Sequence, residues 1–174
     1  MEQSSKPTSK FYGLFQYVFD HYNDALFCGT IKDCLIVVTR RKNVFGHNTR
    51  KRWFSIQDQE TDELALNPSM FIKFPLIEIC QAIVHEMRHG WQYHYGKPSQ
   101  EGCHNKEWAN KMIDIGLMPS RTGKPGGKNS RAEYGRLSYC QGSVPRGFQG
   151  THEQLNLYGA LSGGQPRNRQ PPQR

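Results

Sequence analysis

The run that follows Pro75, LIEICQAIVHEMRHGWQYHY, constrains this chain more than any other. It holds no proline, and its apolar members Leu76, Ile79, Ile83, Met87 and Trp91 are spaced three or four apart, which predicts one long amphipathic helix. Inside it His85-Glu86-Met87-Arg88-His89 matches H-E-x-x-H. Histidines at i and i+4 share a helix face and can point at one metal ion. Glu86, one place after the first histidine, then lies beside the metal rather than on it, where it can take a proton from water that zinc has made acidic. With 7 His among 174 residues, a chance match is on the order of 1%, so the motif is read as chemistry. The apolar stripe also leaves His85 and His89 together on a different flank, which argues against two incidental surface histidines.

A catalytic zinc takes three protein ligands and keeps one position open, so a third ligand is expected from outside this motif. The extended H-E-x-x-H-x-x-G-x-x-H pattern fails, because Gln92 stands at the glycine place and Tyr95 at the final histidine place. His94 is one residue off and is expected to pack or face solvent. His104 is the favoured candidate, since YHYGKPSQEGC supplies a turn that can bring a second helix back over the first. Glu107 is the alternative, as a carboxylate ligand or as a partner orienting an imidazole. Glu101 and Asp114 are weaker choices.

Elsewhere the pattern is mixed. Phe11, Leu14, Phe15, Val18, Phe19, Tyr22 and Leu26 predict an amphipathic helix over 10–27. Residues 34–39, CLIVVT, read as a β-branched strand ended by Arg40-Arg41-Lys42, and 53–56 and 63–66 as its neighbours in a small three-stranded sheet, with Asn67-Pro68 ending the last. A further helix is expected over 105–115, with Trp108, Met112 and Ile115 inward and Gly116 at its C-terminal cap. Helix, small sheet, helix, helix is an α+β order.

At 174 residues the chain fits one domain, and no run approaches the roughly 18 apolar residues a membrane span requires. MEQSSKPTSKF is followed by no apolar block, so a cytoplasmic protein is expected, nucleoid-associated if bacterial. The five cysteines, 28, 34, 80, 103 and 140, include no C-x2-C pair, which excludes a zinc ribbon and predicts reduced thiols. The net charge of +8 is uneven: 61–118 is slightly acidic, whereas 119–174 holds nine basic and two acidic residues with ten glycines and six prolines. That stretch reads as irregular, ending in a basic tail able to meet the phosphates of a nucleic acid.

Through VHEMRHGWQYHYG, the later GCHNKEWANKMIDIGLMP, and the helix and sheet before them, the chain resembles the SprT-like (Spartan) family of zinc metallopeptidases over roughly 10–119. The resemblance implies a zincin-like core, His85, His89 and His104 as zinc ligands and Glu86 as general base. It is similar to members carried by bacteria, plasmids or phages rather than to multidomain animal forms. It further implies cleavage of proteins bound or crosslinked to DNA, with DNA as recruiter and activator, and Arg40-Arg41-Lys42, Arg50-Lys51-Arg52 and the tail are consistent with that. The chain departs from many relatives in having no C-terminal zinc ribbon, so any DNA contact is expected from the catalytic domain and tail. The expected organisation is a flexible 1–9, a metallopeptidase domain over 10–150 and a partly disordered basic tail over 151–174. Tyr134, Arg136 and Tyr139 are candidates to stabilise a developing oxyanion. Two other readings stay open: a non-catalytic DNA-binding or adaptor protein with a structural zinc, and a metal hydrolase with a non-protein substrate.

Overall fold

The structure, a computed structural model, describes residues 6–117 apart from 43, 58, 72, 73, 75 and 100–103. Glu101, Cys103, the oxyanion candidates Tyr134, Arg136 and Tyr139, and the tail 151–174 lie outside the described residues. The first helix, α1 (Pro7–Phe27), begins before Lys10, so residues 7–9 of the stretch expected to be flexible form its first turn. Proline near a helix start supplies a preset φ and gives up an N–H that has no partner there anyway. Leu14, Phe15, Val18, Phe19 and Tyr22 are buried, as the spacing predicts; Phe11 and Leu26 of the same stripe are half-buried, and Phe27, outside it, is buried as well. Cys28 and Gly29 then take left-handed φ of 55° and 67° and turn the chain. Asn23 pins that turn: its Nδ2 donates to the Ile31 carbonyl at 2.9 Å and its Oδ1 accepts from the Ile31 N–H at 3.0 Å.

Three strands follow, β1 (Cys34–Val38), β2 (Gly46–Phe54) and β3 (Glu60–Leu66), in the order β1-β3-β2. β3 runs parallel to β1, with Cys34 opposite Asp62 and Val38 opposite Leu66, and antiparallel to β2, with Gly46 opposite Leu66. Ile36, Leu64 and Leu66 are buried on one face; the central strand β3 also buries Glu63 and Ala65 on the other, whereas Leu35 of the edge strand β1 is 44% exposed. Two strand expectations are corrected. β2 spans Gly46–Phe54 instead of 53–56, and Ser55 and Ile56 belong to the turn in which Ser55 N–H donates to Gln59 O. β3 begins at Glu60 rather than Glu63. GHNTRKR carries no apolar alternation because β2 lies at the sheet edge with mostly exposed side chains, so its order comes from pairing with β3 rather than from burial.

β2 is irregular between Thr49 and Trp53, where Arg50, Lys51 and Arg52 oppose a single β3 residue. Lys51 has φ 50°, and its N–H donates to Asp62 Oδ1 at 2.8 Å. Asp62 Oδ2 meets His94 Nε2 at 2.6 Å, so one carboxylate joins this bulge to the last turn of the long helix.

A four-residue helix, α2 (Pro68–Phe71), follows Asn67, whose side chain donates to the carbonyls of Arg41 and Val44 and accepts from the Ser69 hydroxyl. The long helix α3 (Leu76–Tyr95) covers the expected run end to end. Ile79, Cys80, Ile83, Val84 and Met87 are buried on its inner side, each apolar side chain worth about 1.5–3 kcal/mol of transfer free energy. The last helix, α4 (Lys106–Asp114), is capped by Asn105, whose Oδ1 accepts from Trp108 N–H at 2.9 Å. At its other end Gly116 (φ 84°) and Leu117 donate back to the carbonyls of Ile113 and Met112. Trp108, Met112 and Ile115 point inward as expected. Among the described residues no helix is long and apolar enough to cross a membrane. Cys28, Cys34 and Cys80 are free thiols; burial pushes Cys34 up to about 12 and Cys80 up to about 11, which keeps both protonated.

Candidate metal centre

One turn of α3 separates His85 from His89, and their rings lie 5.1 Å apart, centre to centre. His104, just before the Asn105 cap, brings its ring to 4.8 Å from each of them. Nε2 of His104 is 3.0 Å from Nε2 of His89, and the three residues offer ligand atoms that all lie within 4.8 Å of one another. Zinc–nitrogen bonds of about 2.0–2.1 Å in a tetrahedron set nitrogen pairs roughly 3.3 Å apart, a spacing that the His89–His104 pair approaches and that small side-chain shifts would give the trio.

Trp108 forms the floor. Its fully buried indole stacks at 3.9 Å on His104 and lies 4.6 Å from His85 and 5.5 Å from His89. The sequence marks Trp108 only as a core position; its place one helical turn beyond His104 is the signal that could have assigned it to the site. The buried setting acts on charge as well. Burial, then His89 and His104, hold His85 well below the usual imidazole range; burial, then His104 and Arg88, bring His89 down to about 3. Neutral imidazoles keep the lone pairs that a metal takes.

Glu86 lies outside the cluster of three. Its side chain turns to the start of β2, where a Cβ on Gly46 would stand 3.4 Å from Glu86 Cγ and 2.5 Å from the Ala65 carbonyl oxygen. Burial pushes its carboxyl up to about 7, against the opposing effect of the Asn48 backbone N–H donated to it. Nothing in the sequence singles out Gly46 or Asn48, because both contacts are made across the fold by backbone.

The other candidates are sorted by position. Glu107 does not join the imidazoles; it accepts from Gln92 Nε2 and the Lys97 N–H, which with the nearby Arg88 charge lower its pKa. Asp114 is exposed, and His94 is engaged with Asp62. Arg88, which the motif leaves unassigned, is fully buried, lies 4.4 Å over the Trp91 ring and donates from Nη2 to the Glu107 carbonyl at 2.9 Å. Burial brings its guanidinium down to about 10.

The family model described as SprT-like matches residues 15–125, which takes in α1 from Phe15 onward, the sheet, α3, α4 and all three histidines. The chain belongs to the SprT-like family. No curated protein and no solved structure gives a match. The SprT-like match and the imidazole trio agree on one centre, a His-His-His set on a zincin-like core of helix, three-stranded sheet and two further helices.

Proposed function

We propose that this SprT-like protein is a zinc-dependent endopeptidase acting on proteins held on DNA. The observation that carries the reading is the meeting of three imidazoles, from α3 and from the approach to α4, with a half-buried carboxyl one residue after the first of them. Three histidines are the donor count of catalytic zinc, whereas structural sites take four protein ligands. His85, His89 and His104 would hold the ion, which when bound supplies Lewis acidity to a peptide carbonyl and makes water a nucleophile near neutral pH.

Glu86 does the proton work. Its carboxyl, one residue after His85 and outside the cluster of three imidazoles, can take a proton from the attacking water and return it to the leaving amine. The Asn48 N–H keeps that carboxylate oriented as the proton moves. Arg88 ties α3 to the first turn of α4, and Trp108 backs the ring of His104.

The DNA half of the reading rests on exposed charge. Arg40, Arg41 and Lys42 are exposed beyond β1, and Arg50, Lys51 and Arg52 are exposed on the β2 bulge. Clusters of this kind meet phosphates without regard to base sequence. The test is cleavage of a DNA-binding protein with and without DNA. DNA-stimulated cleavage is expected, and cleavage indifferent to DNA would remove that half while leaving the peptidase.

A further inference from the structure

We propose that Gln92 and Glu107 form a polar clasp that sets His104 against His85 and His89, which makes both of them positioning residues of the metal centre. The inference rests on the metal reading above. His85 and His89 are placed by one helix, but His104 lies on the connection between Tyr95 and Lys106, and something has to fix it.

Gln92, 3% exposed and three residues after His89, is the hub. Its Nε2 lies 2.6 Å from Glu107 Oε2, 2.9 Å from Asn105 Oδ1 and 3.2 Å from the Lys97 carbonyl. Glu107 Oε2 also accepts from the Lys97 N–H at 2.8 Å, and Asn105 Nδ2 donates to the Lys97 carbonyl at 2.7 Å. Both ends of the connection are thereby tied to one buried amide on α3. Gly96 makes the clasp possible, because a Cβ there would stand 2.6 Å from Glu107 Oε2 and 3.1 Å from Gln92 Cγ. From the far side Arg88 Nη2 holds the Glu107 carbonyl.

The consequence passes along the chain to His104. It precedes Asn105, whose Oδ1 holds both Gln92 and the N–H of Trp108, and Trp108 is the ring on which His104 stacks. The clasp therefore sets the backbone that follows His104 and the surface beneath its ring. Gln92 is the residue that stands where the extended histidine motif has glycine, so the departure from that motif and the use of a more distant third histidine have one structural explanation.

The test measures zinc affinity of the full chain by competition with a chromophoric chelator. Glu107→Ala, Glu107→Gln and Gln92→Met are compared in the parent and in a His104→Ala background. Glu107→Ala and Gln92→Met are expected to weaken zinc binding by about 10–100-fold in the parent, as removal of partners that orient a ligand does. Glu107→Gln, which keeps an acceptor for Gln92 and Lys97, should weaken it by less than about threefold. With His104 already removed, each substitution should change affinity by less than about twofold, because a clasp that acts through His104 has nothing left to position. An equal loss in both backgrounds, or no loss in the parent, would overturn the clasp while leaving the metal centre. A parent that takes up no zinc would overturn the metal reading itself, and the clasp with it. Should Gln92→Met fail to fold, the two Glu107 variants at the partly exposed end of the clasp decide the matter.

Discussion

A carboxyl moved from water into the space between a helix and a sheet edge loses the hydration that stabilises its charge, and Glu86 rises to about 7 for that reason. In the metal-free protein this has a thermodynamic consequence. The folded state keeps a proton between about pH 4.5 and 7 that the unfolded chain has released, so Glu86 costs stability as pH rises through that window. His85 and His89 act in the opposite sense: held below their usual range, they stay neutral in the fold while the unfolded chain takes up protons below about 6.5, so their contribution is lost as pH falls. Replacing Glu86 by Gln should therefore stabilise the chelator-treated protein relative to the parent by an amount that grows from pH 4.5 to 7 and then levels. Urea unfolding at pH 5 and pH 8 checks it; a difference independent of pH would contradict the assignment. At this scale the H-E-x-x-H spacing and the later His104 mark the three imidazoles that meet in the fold, because histidines four apart share a helix face. Gln92 and Asn48 are hidden, since their contacts cross elements that no local pattern encodes, whereas the spacing of Trp108 from His104 is a local signal.

Between elements, the decisive contact is β2 against α3. Helix α3 is legible to the residue because a proline precedes it and its burial repeats with the helical period. Strand β2 is not legible, because an edge strand with polar side chains is ordered by pairing to β3 and carries little apolar signature. The same geometry makes Gly46 sensitive, for a methyl there would press on the Ala65 carbonyl oxygen at 2.5 Å and on Leu66 Cδ2 at 3.3 Å while touching Glu86 Cγ at 3.4 Å. Gly46→Ala should cost about 1–3 kcal/mol of stability, as overpacking does, and displace the strand that brings the Asn48 N–H to Glu86. Denaturant unfolding reads the first effect and the rate of peptide cleavage the second. A variant as stable and as active as the parent would show that β2 does not press on the site as described.

Across the molecule the charge is divided. The part that carries the imidazoles is slightly acidic, and the net charge of +8 comes from the regions before and after it. Arg50 and Arg52 are the test of what the excess does, since the bulge held by Asp62 leaves both exposed. Arg50→Ala combined with Arg52→Ala should weaken DNA binding alike for all sequences and lower the salt slope by about 0.7–0.9 for each phosphate that is no longer neutralised. Fluorescence anisotropy across a salt series measures it, and an unchanged slope would assign those arginines to solvent. The order of helix, sheet and paired helices is legible from helical periodicity, the β-branched run of β1 and the Pro and Gly breakers, the bounds of β2 and the short α2 excepted, and the start of α1 differs only by its first turn.

The most direct test of the central claim is a paired measurement on the parent and E86Q: zinc per chain by native mass spectrometry, and cleavage of a DNA-binding protein in the presence of DNA. One zinc in both proteins is predicted, with cleavage by the parent and a loss of about 10²–10⁴-fold in E86Q, the range for removal of a general acid–base group. Zinc in both with equal cleavage would contradict the role of Glu86, and no specifically bound metal in the parent would contradict the centre itself.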